Sequence, residues 1–291
     1  VCDEKIDEIS FIIGDFGDEV VLDLKRIASN LGAKGIVVYQ DEPLGTAHAI
    51  LCAKESLNGN VVVAFADTLF KADFSLDNSA DGIIWVKQIE DPSAFGVIKL
   101  DNNNVITDFV EKPKDFVSDL AIIGIYYFND GELLSQELQY LIDNNIKEKG
   151  EFQLTNALEN MKAKGVKFKP GQVNEWLDCG NKDVTVHTNK KVLSLNNEYA
   201  AAQQSEKFIN SVIIPPCFIG DNVEIIDSIV GPHVSIGNHS KIERCVIENS
   251  IIQENSSIKK TVFKNSMVGN NASYSGAEID LSIGDYTVIK S

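Results

Sequence analysis

The chain has 291 residues, 44% of them apolar and 24% charged, and carries a net charge of −17. That is the composition of an ordinary globular protein, long enough for one large domain or two. The acidic balance excludes non-specific binding to nucleic acid or anionic membranes, which needs basic patches; it leaves phosphorylated small molecules open, since a few lysines and a metal hold those.

Ile9 to Ile13, ended by Gly14, reads as a strand. Val20, Leu24, Ile27, Ala28 and Leu31 then recur at helical spacing, with Asp18 as the N-cap and Gly32 past the last turn. Gly35 to Tyr39 is a second strand. It leads into Gln40 to Ala49, QDEPLGTAHA, where Pro43 stiffens a turn and Gly45 leaves room beside the backbone. Thr46 starts a helix that continues through Ile50 to Lys54. A strand, a glycine loop and a helix N-terminus together offer free backbone N–H groups to a ligand. Val61 to Ala66 resembles a central parallel strand. The order β-α-β-α-β predicts a parallel sheet with helices on both faces.

From Ile83 the pattern changes. Ile83 to Val86, Gly96 to Leu100, Val105 to Val110 and Ala121 to Phe128 are strands joined by polar turns. Leu133 to Leu141 and Leu154 to Ala163 are helical. Val166 to Lys169 and Val173 to Leu177 are short strands, and Asp183 to Leu195 is a helix. The domains expected are 1–195, a polar linker 196–207, and 208–291.

Residues 208–274 follow another rule. Ile213, Ile219, Ile225, Val230, Ile236, Ile242, Ile247, Ile252, Ile258, Phe263 and Val268 stand five or six residues apart. That period is too short for an amphipathic helix. It is the hexapeptide repeat, in which each strand forms one side of a coil and stacking buries the apolar column.

Five cysteines, Cys2, Cys52, Cys179, Cys217 and Cys245, show no C-x-x-C spacing, so free thiols in a reducing cytoplasm are expected. No apolar run approaches the ~20 residues that span a bilayer. The polar start, Val1-Cys2-Asp3-Glu4-Lys5, is unlike a signal peptide.

Asp67 and Asp178 each follow a strand at its carboxyl end, where open α/β sheets bind ligands. There a carboxylate holds Mg²⁺ against a phosphate, or simply caps a turn. Lys112, in Glu111-Lys112-Pro113, is either a phosphate-binding point charge or a solvated surface residue. Glu111 is placed to accept hydrogen bonds from sugar hydroxyls. Gly96 and Gly124 admit a ligand to the backbone or mark bulges. Of the four histidines, His48 lies in the glycine loop, and His233 and His239 lie in the repeats as turn residues or as bases for acyl transfer.

Together these stretches resemble the sugar-1-phosphate nucleotidyltransferases that carry a C-terminal left-handed parallel β-helix. The motifs are Gln40-x-x-x-x-Gly45-Thr46-Ala47, Phe95-Gly96-Val97, Glu111-Lys112-Pro113, Gly124-Ile125-Tyr126 and Trp176-x-Asp178-x-Gly180. The resemblance implies a Rossmann-like mixed, mainly parallel sheet followed by the β-helix. It implies that Gln40, Gly45 and Thr46 bind the nucleotide, and that Asp67 and Asp178 hold Mg²⁺. Lys112, Gly96, Glu111, Gly124, Tyr126 and Glu151 would bind the sugar phosphate, and Asp67, Lys112 and Asp178 would carry catalysis.

Three departures stand out. Ala66-Asp67 replaces the family's Gly-Asp, and Gln153 stands where the family has a second acid after Glu151. The family's opening Gly-x-Gly-x-Arg phosphate loop is not matched, so roughly 40 further residues, a βα unit plus loop, are expected upstream. The implied reaction joins an NTP and a sugar 1-phosphate to give an NDP-sugar and pyrophosphate. An amide at Gln40 suits a pyrimidine edge, favouring dTTP or UTP; the absence of an Asn from Ala121 to Gly124 leans towards glucose 1-phosphate. The alternatives are a regulatory subunit without turnover and a bifunctional enzyme that also transfers acetyl groups. A homo-oligomer assembled through the β-helix is expected.

Overall fold

The computed structural model describes residues 5–71, 80–199 and 205–276. The chain divides into two compact units, Val1–Trp176 and Leu177–Ser291.

The first unit begins with β1 (Glu8–Ile13), α1 (Asp18–Asn30), β2 (Lys34–Tyr39), α2 (Thr46–Cys52) and a 3₁₀ turn (Lys54–Ser56). It continues with β3 (Val61–Ala64), β4 (Thr68–Lys71), β5 (Gly82–Gln88), β6 (Gly96–Leu100), β7 (Ile106–Glu111) and β8 (Leu120–Phe128). Then come α3 (Gly131–Asp143), α4 (Leu154–Ala163) and β9 (Phe168–Gln172), and β10 (Glu175–Asp178) crosses the unit boundary. Asp18 is not the N-cap of α1 but its first helical residue. Gly17 precedes it at φ 85°, a conformation glycine takes freely, and Asp15 Oδ1 accepts the Gly17 N–H at 3.1 Å.

The sheet is mixed, as expected, but it is not mainly parallel: β6–β7, β6–β8, β5–β8 and β3–β8 run antiparallel, and β5–β9 runs parallel. β1 and β2 run parallel, with Glu8 opposite Lys34 and Ile13 opposite Tyr39. β3 does not extend that pair; it runs antiparallel to β8, from Val61 opposite Phe128 to Ala64 opposite Ile125. The expected continuous β-α-β-α-β sheet is therefore two sheets among the described residues, and β1 and β3 each have one laddered edge. The larger sheet runs β7–β6–β8–β5–β9, with β3 also on β8.

β8 is its centre. LAIIGIYYF is apolar at almost every position and buried from Ala121 to Phe128. Alternate residues enter opposite layers. Ile122, Tyr126 and Phe128 join Ile84, Val86 and the apolar faces of α3 and α4; Ile123, Ile125 and Tyr127 join Ile83, Trp85 and Val173. β9 runs on past Lys169 through Pro170, which lies opposite Ile84 on the outermost strand, where a missing N–H is tolerated.

In the second unit, α5 (Lys182–Leu195) is capped by Asn181, whose Oδ1 accepts the Asp183 and Val184 N–H groups. Short strands then stack in parallel. The register step is 17 residues from Val212 to Ile229 and on to Val246, and 16 from Val246 to Val262. All eleven residues read as the inward column lie in one core cluster. At the corners, residues with positive φ stack one above another, as in Asn210, Asp227, Arg244 and Lys260. Backbone groups at one corner are satisfied by a hydroxyl ladder: Ser228 N–H donates to Ser211 Oγ at 3.1 Å, and Cys245 N–H to Ser228 Oγ at 3.0 Å. Positions 200–204 of the expected linker and 277–291 of the expected last domain lie outside the described residues.

Cys52, Cys217 and Cys245 are free thiols. Among the described residues, no helix is long and apolar enough to cross a membrane.

Candidate active site

Gln40 leaves β2 with its backbone N–H on Ile13 O at 2.9 Å. Five residues on, Gly45 sits at φ 115°, and a Cβ there would lie 2.5 Å from Phe152 O and 2.8 Å from Phe152 N. Only glycine fits. The loop can therefore bond to the segment that precedes α4. Phe152 N–H donates to Leu44 O at 2.8 Å, and Ala47 N–H donates to Phe152 O at 2.9 Å. Thr46 Oγ1 accepts the Leu154 N–H at 3.0 Å and so caps α4 from 108 residues away. The same hydroxyl donates to Gln153 Oε1 at 3.4 Å, and Gln153 Nε2 donates to Glu151 Oε2 at 3.0 Å. Gln153 is buried, and in place of a second acid it ties Glu151 to the loop.

A second group of residues assembles around Glu111 at the end of β7. Gly96 lies directly opposite it in β6, where a Cβ would stand 3.1 Å from Glu111 Oε2. Thr155 Oγ1 donates to Glu111 Oε2 at 3.4 Å, and Lys112 Nζ lies 3.9 Å from Oε1. Burial pushes the Glu111 carboxyl above the usual carboxylate range, and the Lys112 charge offsets part of that. Burial also raises the Tyr126 phenol, and the Glu111 charge adds to it. Lys112 itself holds φ 44°, with its N–H on Phe95 O at 3.1 Å. Lys149 Nζ donates to Lys112 O at 2.7 Å and Glu111 O at 3.4 Å, bringing a second cation that sequence reasoning missed. No periodicity or motif pointed to it.

The stretch Glu151–Thr155 joins the two groups: Leu154 reaches Thr46, and Thr155 reaches Glu111. The structure thus brings Gly45, Thr46, Glu151, Glu111, Gly96, Tyr126 and Lys112 into one connected region of the first unit.

Three expected residues stand differently. Gly124 sits at φ 83°, and the space over it is taken by Phe65, whose ring would meet a Cβ at 3.0 Å and whose N–H donates to Gly124 O at 2.9 Å. Asp67 is exposed, and its carboxylate accepts no hydrogen bond among the described residues. Asp178 belongs to the second unit, where Oδ1 accepts the Gly180 N–H at 2.8 Å and its carbonyl accepts from Thr188 Oγ1 at 2.7 Å. Carboxylate oxygens of this kind are the donors Mg²⁺ takes, usually one or two beside substrate phosphates. No group of three or more His, Cys, Asp or Glu gathers as a metal cage among the described residues.

In the second unit, His233 Nε2 lies 3.1 Å from Ser194 Oγ, and the neighbouring Asn189 accepts Ser235 Oγ at 2.6 Å. Burial lowers the His233 imidazole below its ordinary value, with the Lys190 charge adding to the effect. His239 holds a corner at φ 59°.

The first unit thus carries a strand–glycine loop–helix on its parallel β1–β2 pair, and the second carries a hexapeptide solenoid. The family model described as nucleotidyl transferase matches residues 1–194. The chain belongs to that family. A glucose-1-phosphate thymidylyltransferase of Streptomyces antibioticus is 27% identical over 271 residues, covering 85% of this chain and 74% of the relative. The bifunctional protein GlmU of Methanococcus maripaludis is 31% identical, covering 61% of this chain and 41% of that one. The fold matches a nucleoside-diphosphate-sugar pyrophosphorylase of Vibrio cholerae RC9 with a TM-score of 0.53 at 20% identity, over 62% of this chain and 80% of that one. The expected class, a sugar-1-phosphate nucleotidyltransferase with a hexapeptide solenoid, is borne out.

Proposed function

We propose that the protein transfers a nucleotidyl group from dTTP or UTP to a sugar 1-phosphate, with glucose 1-phosphate favoured, and releases pyrophosphate. The observation that carries this reading is the Glu151–Thr155 stretch, which bonds the base-side residue Thr46 and the sugar-side residue Glu111 at once. It is supported by the thymidylyltransferase relatives.

A phosphate oxygen of the sugar substrate attacks the α-phosphorus in line, the bond to the β-phosphate breaks, and pyrophosphate leaves. The attacking oxygen is already anionic, so no side-chain nucleophile is needed, and catalysis consists of positioning and charge neutralisation. Gln40, Gly45 and Thr46 hold the nucleotide. Glu111 and Glu151 accept sugar hydroxyls, with Gly96, Gly124 and Tyr126 lining that side. Lys112 holds the sugar phosphate, and Lys149 adds positive charge beside it. Asp67 and Asp178 would hold Mg²⁺, which when bound neutralises phosphate charge. In this reading residues 1–195 do the chemistry, 196–207 connect, and 208–291 assemble copies in a cytoplasmic enzyme.

The assembly is supported by a registered outward column. Val212, Ile229, Val246 and Val262 stack across four coils and are between 42% and 73% exposed. Beside it Glu248 and Lys264 occupy successive coils, 3.2 Å apart. The bifunctional alternative is weakened by His233, whose Nε2 is already engaged by Ser194.

The test is pyrophosphate release with four NTPs crossed against glucose, N-acetylglucosamine and mannose 1-phosphates. Release with dTTP or UTP and glucose 1-phosphate is expected. No release from any pair would leave the regulatory-subunit reading in its place.

A further inference from the structure

Gln40 and His48 face each other across the glycine loop, at the two ends of QDEPLGTAHA. Gln40 Nε2 lies 3.3 Å from Gly45 O and 3.0 Å from His48 Nδ1. A carbonyl oxygen can only accept, so the Gly45 contact fixes which end of the amide is the NH₂. With the NH₂ turned inward, the second contact requires His48 Nδ1 to accept as well. The imidazole is then neutral and carries its proton on Nε2. Both amide hydrogens are used inside the loop. What remains is Gln40 Oε1, which accepts no hydrogen bond among the described residues.

This changes what the loop can read. A side-chain amide that rotates freely offers a donor or an acceptor and discriminates weakly between nucleobases. An amide clamped by Gly45 O and His48 offers an acceptor alone. The bases it fits carry an N–H at the centre of the pairing edge, as uracil and thymine do at N3 and guanine does at N1. Cytosine presents a lone pair at the same place, and the two acceptors would face each other with no proton between them. An unpaired buried polar group is costly, so the clamp acts mainly by rejecting the wrong base.

We propose that His48 is the positioning residue for base choice, fixing the Gln40 carboxamide so that only its oxygen faces the nucleobase. His48 need not touch the nucleotide. The inference rests on the nucleotidyltransferase reading, in which Gln40 meets the base, and goes beyond it by naming the residue that sets the polarity of that contact.

The test is calorimetric titration of UTP and CTP into the wild-type chain and into His48→Leu and His48→Gln. Leucine removes the acceptor and frees the amide to turn; glutamine supplies an acceptor oxygen in its place. The expected result is tighter binding of UTP than CTP by the wild type. His48→Leu should narrow that ratio about tenfold, the scale of one hydrogen bond, and His48→Gln should restore most of it. A His48→Leu protein that keeps the ratio, or weakens both nucleotides equally, overturns the proposal, as does a His48→Gln protein no better than leucine. A wild type that binds neither nucleotide sinks the nucleotidyltransferase reading itself, and this inference with it. A readout on the unmutated protein stands beside these: the ¹⁵N spectrum of the His48 ring should show Nδ1 bare and Nε2 protonated, and the opposite tautomer overturns the proposal.

Discussion

The Thr46 hydroxyl caps α4 by accepting the Leu154 N–H at 3.0 Å, although α4 lies 108 residues further along the chain. Gln153, the local N-cap residue, makes no side-chain cap of its own. Thr46 therefore does two jobs, starting α2 and ending the exposure of α4's first N–H. Thr46→Val keeps the shape and removes the acceptor. It should cost about 1 kcal/mol, typical of a lost cap, and lower the melting temperature by about 2–4 °C. Thermal unfolding by circular dichroism measures it, and an unchanged melting point would remove the cap from the account.

Gly45→Ala should be worse. The new methyl would meet Phe152 O at 2.5 Å with the backbone held at φ 115°. The loop must move away from Phe152 or hold the strain, at about 2 kcal/mol or more. Nucleotide affinity should fall with stability, because in the proposed reading this loop holds the nucleotide. Loss of stability with unchanged UTP affinity would mean the loop serves the fold alone.

The eleven inward residues of the solenoid were legible because a five-to-six-residue period allows one geometry, and their burial depends on neighbouring coils alone. β8 was legible because nine consecutive residues, apolar but for Gly124, must be covered on both faces. Its pairing with β3 was not. Strand order is decided by contacts between residues such as Val61 and Phe128, which no local pattern encodes. β4, only Thr68–Lys71, is too short to show a period and went unseen. At the site the motifs found Gly45 and Glu111, but not that Glu151–Thr155 joins them. Lys149 and the Gln153 link were invisible because hydrogen-bond partners far apart in sequence leave no mark in spacing.

Glu111 gives a pH-dependent prediction. Burial holds its folded carboxyl above the ordinary value of 4.5, so the folded state binds the proton more tightly than the unfolded chain. The favourable contribution of the proton is present at low pH and is lost as pH rises through the raised folded value. Glu111→Gln has no charge to bury. Relative to wild type, the glutamine protein should be more stable at pH 8, and the gap should shrink as pH falls towards 5. Melting curves across that range check it; a gap of constant size, or one that grows on acidification, contradicts the assignment.

The outward valine column predicts an assembly that a charge disrupts. Val246→Glu and Val262→Glu change exposed positions, so the fold should hold while light scattering shows a smaller species than wild type. A wild type that is already monomeric, or variants of unchanged mass, would assign the column no role in assembly.

The central claim is that one site joins a nucleotide to a sugar phosphate. The most direct measurement is ³¹P NMR of the protein with Mg²⁺, dTTP or UTP, and glucose 1-phosphate. The phosphomonoester signal should decline as pyrophosphate and a diphosphate diester rise in equal amounts. Asp67→Asn and Asp178→Asn should each abolish the change. A wild-type spectrum that stays constant would contradict nucleotidyl transfer, and near-normal conversion by either variant would remove that carboxylate from the reaction.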